Sequence, residues 1–241
     1  MLTLALECAT KTIGIALLDE EDVHAEIYLN LGRHHAEVLL PALDRLFLLA
    51  GLSPADVDLL ACTVGPGSFT GLRIGVSTVK GLALATGKPV VGVSTLEVLA
   101  MNAIPSSYLI CPMLDARKNQ VYTGLYRMGP YTLPTAVRPE KLADVAQFLR
   151  ELDQEEIIFL GDGAIRHEKL IRETGKGRTV LCESSKQRLM ASAVGLIGLQ
   201  RYRSGDIVNT LTFTPRYLRL SEAETNCVPR APCCTGERDR C

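Results

Sequence analysis

The sequence predicts a duplicated α/β fold: two lobes, each a mixed sheet flanked by helices. Three observations carry that reading. Three strands followed by alternating helix and strand occupy the first half of the chain, and the same order then recurs. LALECATKTIGIALL and CPMLDARKNQVYTGLY each place an acid after an apolar strand and restart the next strand six residues on, Glu7 to Ile13 and Asp115 to Val121. In both halves a later strand ends in Gly-x-Gly and opens a helix, at Gly65–Gly67 and Gly161–Gly163.

The elements follow in order. Residues 2–8, 12–18 and 23–30 read as a meander of three strands joined by short polar turns. Over 34–50 the period changes: Leu39, Leu43, Leu46, Phe47 and Ala50 make one helical stripe. Val38, Leu40, Ala42 and Leu49 extend the apolar character around that helix, and Pro41 is expected to kink it. A buried strand at 59–64, a helix at 70–86 and a strand at 89–93 complete the first half. The second half reads as strands near 107–114 and 120–127, a helix about 140–152, a strand at 156–160, a helix at 164–174, a strand at 178–182 and a helix at 187–203. The expected division is a first lobe over 1–102, a second over 103–220 and a frayed Cys/Arg-containing tail over 221–241. Such a pair of lobes around a cleft is the plan of the ribonuclease-H-like fold of the actin, sugar kinase and Hsp70 superfamily, which by itself says little about activity.

Composition narrows the function classes. The chain has 241 residues, 47% hydrophobic and 22% charged, ordinary globular usage that excludes global disorder. No run reaches the roughly 18–20 apolar residues of a membrane span, and the residues after Met1 carry no basic signal region, so a cytoplasmic protein without membrane contact is expected. Residues 1–100 hold 6 Lys and Arg against 11 Asp and Glu, and residues 101–241 hold 20 against 16. A protein that grips nucleic acid unaided usually shows a basic stripe, so a nucleic-acid role here is expected to be shared with a partner. Cys8, Cys62, Cys111 and Cys182 sit singly in or beside apolar runs, as packing thiols do. Cys227, Cys233, Cys234 and Cys241 lack the spacing of a zinc site.

The local motif with most chemistry is VGPGSFTGLRIG at 64–75. A Gly-rich turn before a helix presents unpaired amides to an anion, so the segment suits either phosphate contact or a structural turn with a helix cap. It is not a P-loop, because no Lys follows Gly71, and the dinucleotide fingerprint fails at Thr70. On the helix that follows, Gly71, Gly75, Thr78 and Leu82 form a stripe of mostly small residues, open to close packing inside the lobe or across an interface. Glu7 ends the first strand, but the next residues lack a Gly that would let backbone approach phosphate, so a turn acid is the simpler reading. Adjacent His34 and His35 diverge on a helix and cannot form an i, i+4 ligand pair; His24 and His167 stand alone. Ser68 and Ser94 lie in no nucleophile elbow.

The runs RHHAEVLLPALDRL (33–46), VGPGSFTGLRIGVSTVKGLA (64–83) and TPRYLRLSEAE (214–224) resemble the TsaB (YeaZ) family of bacterial tRNA threonylcarbamoyladenosine biosynthesis proteins over about residues 1–224. The paralogue TsaD carries Asn-His-Leu-Glu-Gly-His after the strand equivalent to 89–93, its two His holding a metal. The matching stretch here is Ser94-Thr95-Leu96-Glu97-Val98-Leu99, with Thr95 and Leu99 in place of both ligands. The resemblance therefore implies a non-catalytic subunit with no cofactor and no metal, a pseudo-enzyme that binds and stabilises or activates TsaD. It further implies TsaE as a partner, tRNA engaged only through the complex, and a homodimer through the first-lobe helices when the chain is alone. The implied interface lies on 34–50 and 70–86, with His34, His35, Leu39, Leu43, Leu46, Gly71, Arg73, Gly75, Thr78 and Leu82. The departures from the family are Glu7, where Asp is common, and the tail at 225–241. The rival reading is a free-standing nucleotide-dependent kinase or metalloprotease-like enzyme of the same superfamily.

Overall fold

A computed structural model of the chain describes residues 1–32, 34–103, 106–128, 133–152, 155–175, 178–182 and 187–219. The tail expected over 221–241, with its four cysteines, lies outside the described residues, as does the end of the 214–224 motif.

In the first sheet β1 (Thr3–Glu7), β2 (Ile13–Leu18) and β3 (Val23–Leu29) form the antiparallel meander, and β4 (Leu59–Gly65) and β5 (Val90–Ser94) add parallel strands beside β1. The spatial order is β3-β2-β1-β4-β5. α1 (His35–Ala50) and α2 (Phe69–Thr86) cross over between these strands, as parallel pairing requires. The second sheet repeats the order with β6 (Leu109–Asp115), β7 (Gln120–Arg127), β8 (Thr135–Asp144), β9 (Ile157–Leu160) and β10 (Thr179–Leu181): β8-β7-β6-β9-β10. The two hairpins pair one residue out of step, with Glu7 opposite Gly14, seven residues on, and Asp115 opposite Val121, six residues on. The duplicated ribonuclease-H-like plan is thus present in full.

Burial explains the layers. β1 and β2 are buried along their whole length, so their side chains alternate between two cores. Leu4, Leu6, Ile13, Ile15 and Leu17 meet Leu39, Leu43, Leu46 and Phe47 of α1 and Val76, Val79 and Ala83 of α2. The opposite face, with Ala5, Ala16 and Leu18, packs on α7 (Ala191–Arg203) and α3 (Thr95–Ala100), together with Ile110, Leu114 and Tyr126 of the second sheet. α4 (Val145–Arg150), α5 (Asp162–Arg166) and α6 (Glu168–Gly175) cover the far face of the second sheet through Phe148, Leu149, Ala164 and Ile171. Among the described residues, no helix is long and apolar enough to cross a membrane.

Two expectations about elements change and one element is added. The helix expected over 140–152 is the end of β8 followed by the six-residue α4; β8 is a half-exposed edge strand whose Pro139 and charges hide its period. The helix expected over 164–174 is two short helices that meet at His167. A short helix, α3, follows β5 directly, its residues all buried and continuous in character with the strand. α1 runs unbroken through Pro41.

Candidate functional site

The N-terminal ends of α1 and α2 converge on the β1–β2 hairpin. His35 Nε2 lies 3.0 Å from the Thr10 carbonyl oxygen and 3.1 Å from that of Thr12. On the other side, Ser68 N–H donates to the Ala9 carbonyl at 2.7 Å, and Ser68 Oγ accepts from Gly71 N–H at 3.2 Å. A side chain on Gly67 or Gly71 would overlap the carbonyl oxygens of Ala9 and Cys8. The glycines of this turn therefore admit the hairpin, which takes up the Ser68 amide, while the Ser68 side chain caps that of Gly71. Of the two uses the motif allowed, the structural turn with a helix cap is the one seen.

Glu7 faces inward at the same place. It is fully buried, accepts from Ala9 N–H at 2.6 Å and from Thr12 Oγ1 at 3.3 Å. Burial pushes its carboxyl up to about 8, against the pull of those two hydrogen bonds. It is a turn acid that fixes the hairpin. Cys8, Cys62 and Cys111 are buried thiols and Cys182 is half-buried; burial pushes Cys111 up to about 12.

Between the two sheets lies a polar cluster around α3. Glu140 on β8 accepts from Ser94 Oγ at the end of β5 and from Tyr126 OH on β7 at 2.5 Å, and Arg216 Nη1 stands 2.9 Å from its other oxygen. Arg201 on α7 donates to Glu97 at 2.5 Å and to the Gly92 carbonyl at 2.7 Å. Burial raises Glu97 while Arg201 opposes that shift. Thr95 and Leu99 are both 0% exposed, and the Thr95 hydroxyl has no hydrogen-bond partner among the described residues. Leu99 packs close to Gly161 of the second Gly turn. Among the described residues, no three His, Cys, Asp or Glu side chains converge as metal ligands.

The residues read from the sequence as an interface separate into four sets. Leu39, Leu43 and Leu46 are buried in the chain's own core, so their side chains are not offered to another molecule. Gly71 and Gly75 press on Cys8, which makes the small-residue stripe an internal packing surface at that end. Thr78 and Leu82 are half-buried, and His35 is tied to the hairpin. His34 and Arg73 are exposed: His34 stands 3.2 Å from Glu37, and Arg73 Nε donates to Tyr217 OH at 2.9 Å. The outer face instead presents Leu40, Leu48 and Leu49 on α1 and Leu84 on α2, which are 56%, 69%, 65% and 62% exposed. Sequence periodicity had placed apolar residues all round α1 without separating the inner stripe from this outer one.

Comparison with known proteins fits this architecture. A family model described as TsaD: tRNA N6-adenosine threonylcarbamoyltransferase matches residues 29–227. The tRNA threonylcarbamoyladenosine biosynthesis protein TsaB of Bacillus subtilis (strain 168) is 34% identical over 226 residues, 93% of this chain and 96% of that protein. The chain belongs to the TsaB/YeaZ family. YeaZ from Pseudomonas aeruginosa superposes with a TM-score of 0.77 at 28% identity, over 90% of this chain and 99% of that one. A ROK hexokinase from Thermus thermophilus, at 12% identity and TM-score 0.50 over 84% of this chain and 100% of its own, shares the fold alone.

Within the TsaB/YeaZ frame, two features escaped sequence reasoning. The Glu140 cluster joins residues from three distant segments that no local pattern connects. The contacts of Arg216, Tyr217 and Arg219 belong to an irregular stretch without period. The Arg-Tyr-Leu-Arg run at 216–219, which carries the family resemblance, binds both sheets, through Val64 on β4 and Glu140 on β8.

Proposed function

We propose that this chain serves tRNA threonylcarbamoyladenosine biosynthesis as the non-catalytic partner of TsaD, docking through the outer face of α1 and α2. One observation carries the reading: four leucines stand more than half exposed on two adjacent helices whose inner faces already fill the core. Exposed apolar side chains of this kind, interspersed here with the exposed charges of Glu37, Asp44, Arg45 and Arg73, suit a surface that a partner covers. TsaD is the occupant that the family resemblance implies, and the match of a TsaD model to residues 29–227 makes this chain its structural relative. The cleft supports the same division of labour. At the positions matched to the paralogue's ligand pair, Thr95 and Leu99 are packed into the core, and the first Gly turn is closed by its own hairpin. The kinase-like alternative needs that turn open.

TsaE joins through TsaD in this reading, and tRNA meets the chain only within the complex, consistent with a formal net charge of −1 and an acidic first half. The compartment is the cytoplasm, where tRNA is modified. Without TsaD the same leucines favour a homodimer, since a self-complementary apolar patch closes by two-fold symmetry.

The experiment is co-purification of tagged TsaD with the wild-type chain and with Leu48→Asp/Leu49→Asp. The double variant should keep its fold and lose TsaD. Retention of TsaD by a folded double variant refutes this face. Threonylcarbamoylation of tRNA by the chain in the absence of TsaD refutes the non-catalytic role.

A further inference from the structure

Residues 208–219 run back across the molecule as an irregular strap whose contacts are unusually specific. Val208 N–H donates to the Val90 carbonyl at 3.0 Å, and Lys80 Nζ on α2 donates to the Leu211 carbonyl at 2.8 Å. Phe213 is buried in the first-sheet core. Arg216 N–H donates to the Val64 carbonyl at 2.7 Å, and Gly65, at φ +122°, is the residue that lets the strap pass: a Cβ there would lie 2.6 Å from the Arg216 carbonyl oxygen. The ring of Tyr217 stacks on Phe69 of α2 at 4.4 Å between centroids, and its hydroxyl is held by Arg73. From the same stretch Arg216 reaches Glu140 on β8. Arg219 donates to the Ala116 carbonyl at 2.8 Å and to Gln120 Oε1, at the β6–β7 turn.

The strap thus leaves α2, on the outer layer of the first sheet, and ends on the second sheet. Two consecutive residues do the joining. Tyr217 is fixed by α2, and Arg216, one peptide away, supplies the only cation at Glu140 among the described contacts. Glu140 is the acceptor that also gathers Ser94 from the first sheet and Tyr126 from the second. Its second oxygen is buried and, among the described residues, has no hydrogen bond that could replace the arginine. Arg216 is also tied through its own N–H to the Val64 carbonyl, so a displaced Tyr217 strains the Glu140 contact through one peptide, and a buried carboxylate without its cation is costly. Transmission between distant sites requires a second arrangement, here the cluster released from Arg216, beside the clasped one the structure holds.

We propose that the strap couples the outer flank of α2 to the polar cluster between the sheets, so that what touches Arg73 and Tyr217 sets how firmly the two sheets are held together. The identity of the occupant, TsaD, rests on the docking reading above; the coupling is a property of this chain alone. Arg73 and Tyr217 are positioning residues in this scheme.

Hydrogen exchange of the full chain, read by mass spectrometry, tests it. Tyr217→Phe keeps the ring stack and deletes the hydroxyl held by Arg73; Arg73→Ala deletes the donor from the other side; Ser77→Ala is an exposed α2 control off the strap. Both strap variants should speed exchange in β7 and β8 by roughly three- to tenfold, the loss of one charge-assisted hydrogen bond, while β2, β3 and the control stay at the wild-type rate. Wild-type exchange of β7 and β8 in both variants overturns the coupling, and so does an equal rise in β2 and β3, which would mean general destabilisation. Arg216→Ala should reproduce the released state and Arg216→Lys should restore most of the protection. Adding TsaD separates the two ideas: no protection of α1 and α2 refutes docking and leaves the coupling measured in the isolated chain standing.

Discussion

Gly71 lies so close to the end of β1 that a methyl group on its Cα would overlap the carbonyl oxygen of Cys8. The contact is with backbone, which cannot swing aside, so Gly71→Ala should destabilise the chain by about 3 kcal/mol. Gly81, on the same helix, has nothing within 4 Å of its Cβ position. Gly81→Ala should therefore stabilise by about 0.5–1 kcal/mol through helix propensity alone. Urea unfolding of the two variants gives opposite signs if the stripe is internal packing, and like signs if it is not.

The two apolar faces of α1 make a second contrast. Leu43 is 4% exposed and Leu48 is 69% exposed. Leu43→Asp buries a carboxylate in a closed core and should cost at least about 4 kcal/mol, enough to unfold a marginal protein. Leu48→Asp should change stability by no more than about 0.5 kcal/mol and still weaken TsaD capture. Melting temperature and co-purification, measured side by side, separate folding from docking.

Glu7 gives the chain a pH dependence with a definite sign. Its carboxyl ionises near 4.5 when unfolded and is raised to about 8 in the fold, so between those values the folded state holds the extra proton. The stability this group confers is complete below about pH 4.5, falls by about 1.4 kcal/mol per pH unit through that window, and is gone above about pH 8. Glu7→Gln keeps an acceptor for Ala9 N–H and cannot ionise. Denaturant midpoints from pH 5 to 8.5 should fall for the wild type and stay nearly level for the variant; parallel curves would contradict the buried neutral carboxyl.

Thr95 has the shape of valine and a fully buried hydroxyl that finds no partner among the described residues. Thr95→Val should stabilise by about 1 kcal/mol. A loss of stability on calorimetry would mean that the hydroxyl is hydrogen-bonded after all.

Much of this was legible in the chain itself because strong periodicity and strand order are local signals. β1, β2, α1, α2 and the two Gly turns all follow from patterns within about twenty residues. What stayed hidden depends on the far side of the molecule. The outer leucines of α1 are indistinguishable by type from Leu39, Leu43 and Leu46 until a sheet is placed beneath them. β8 was concealed by its exposure at an edge, where charges and Pro139 are tolerated. The partners of Glu140 come from β5, β7 and the strap, and no spacing rule links residues 94, 126, 140 and 216.

The inner face of the first sheet is covered by α7, whose residues follow the whole second sheet in the chain. During synthesis the apolar undersides of β1 and β2 must therefore wait, greasy and unsheltered, while more than a hundred further amino acids leave the ribosome. A fragment cut after β5 would inherit that same nakedness, so the half that carries Leu40, Leu48, Leu49 and Leu84 should aggregate when expressed by itself.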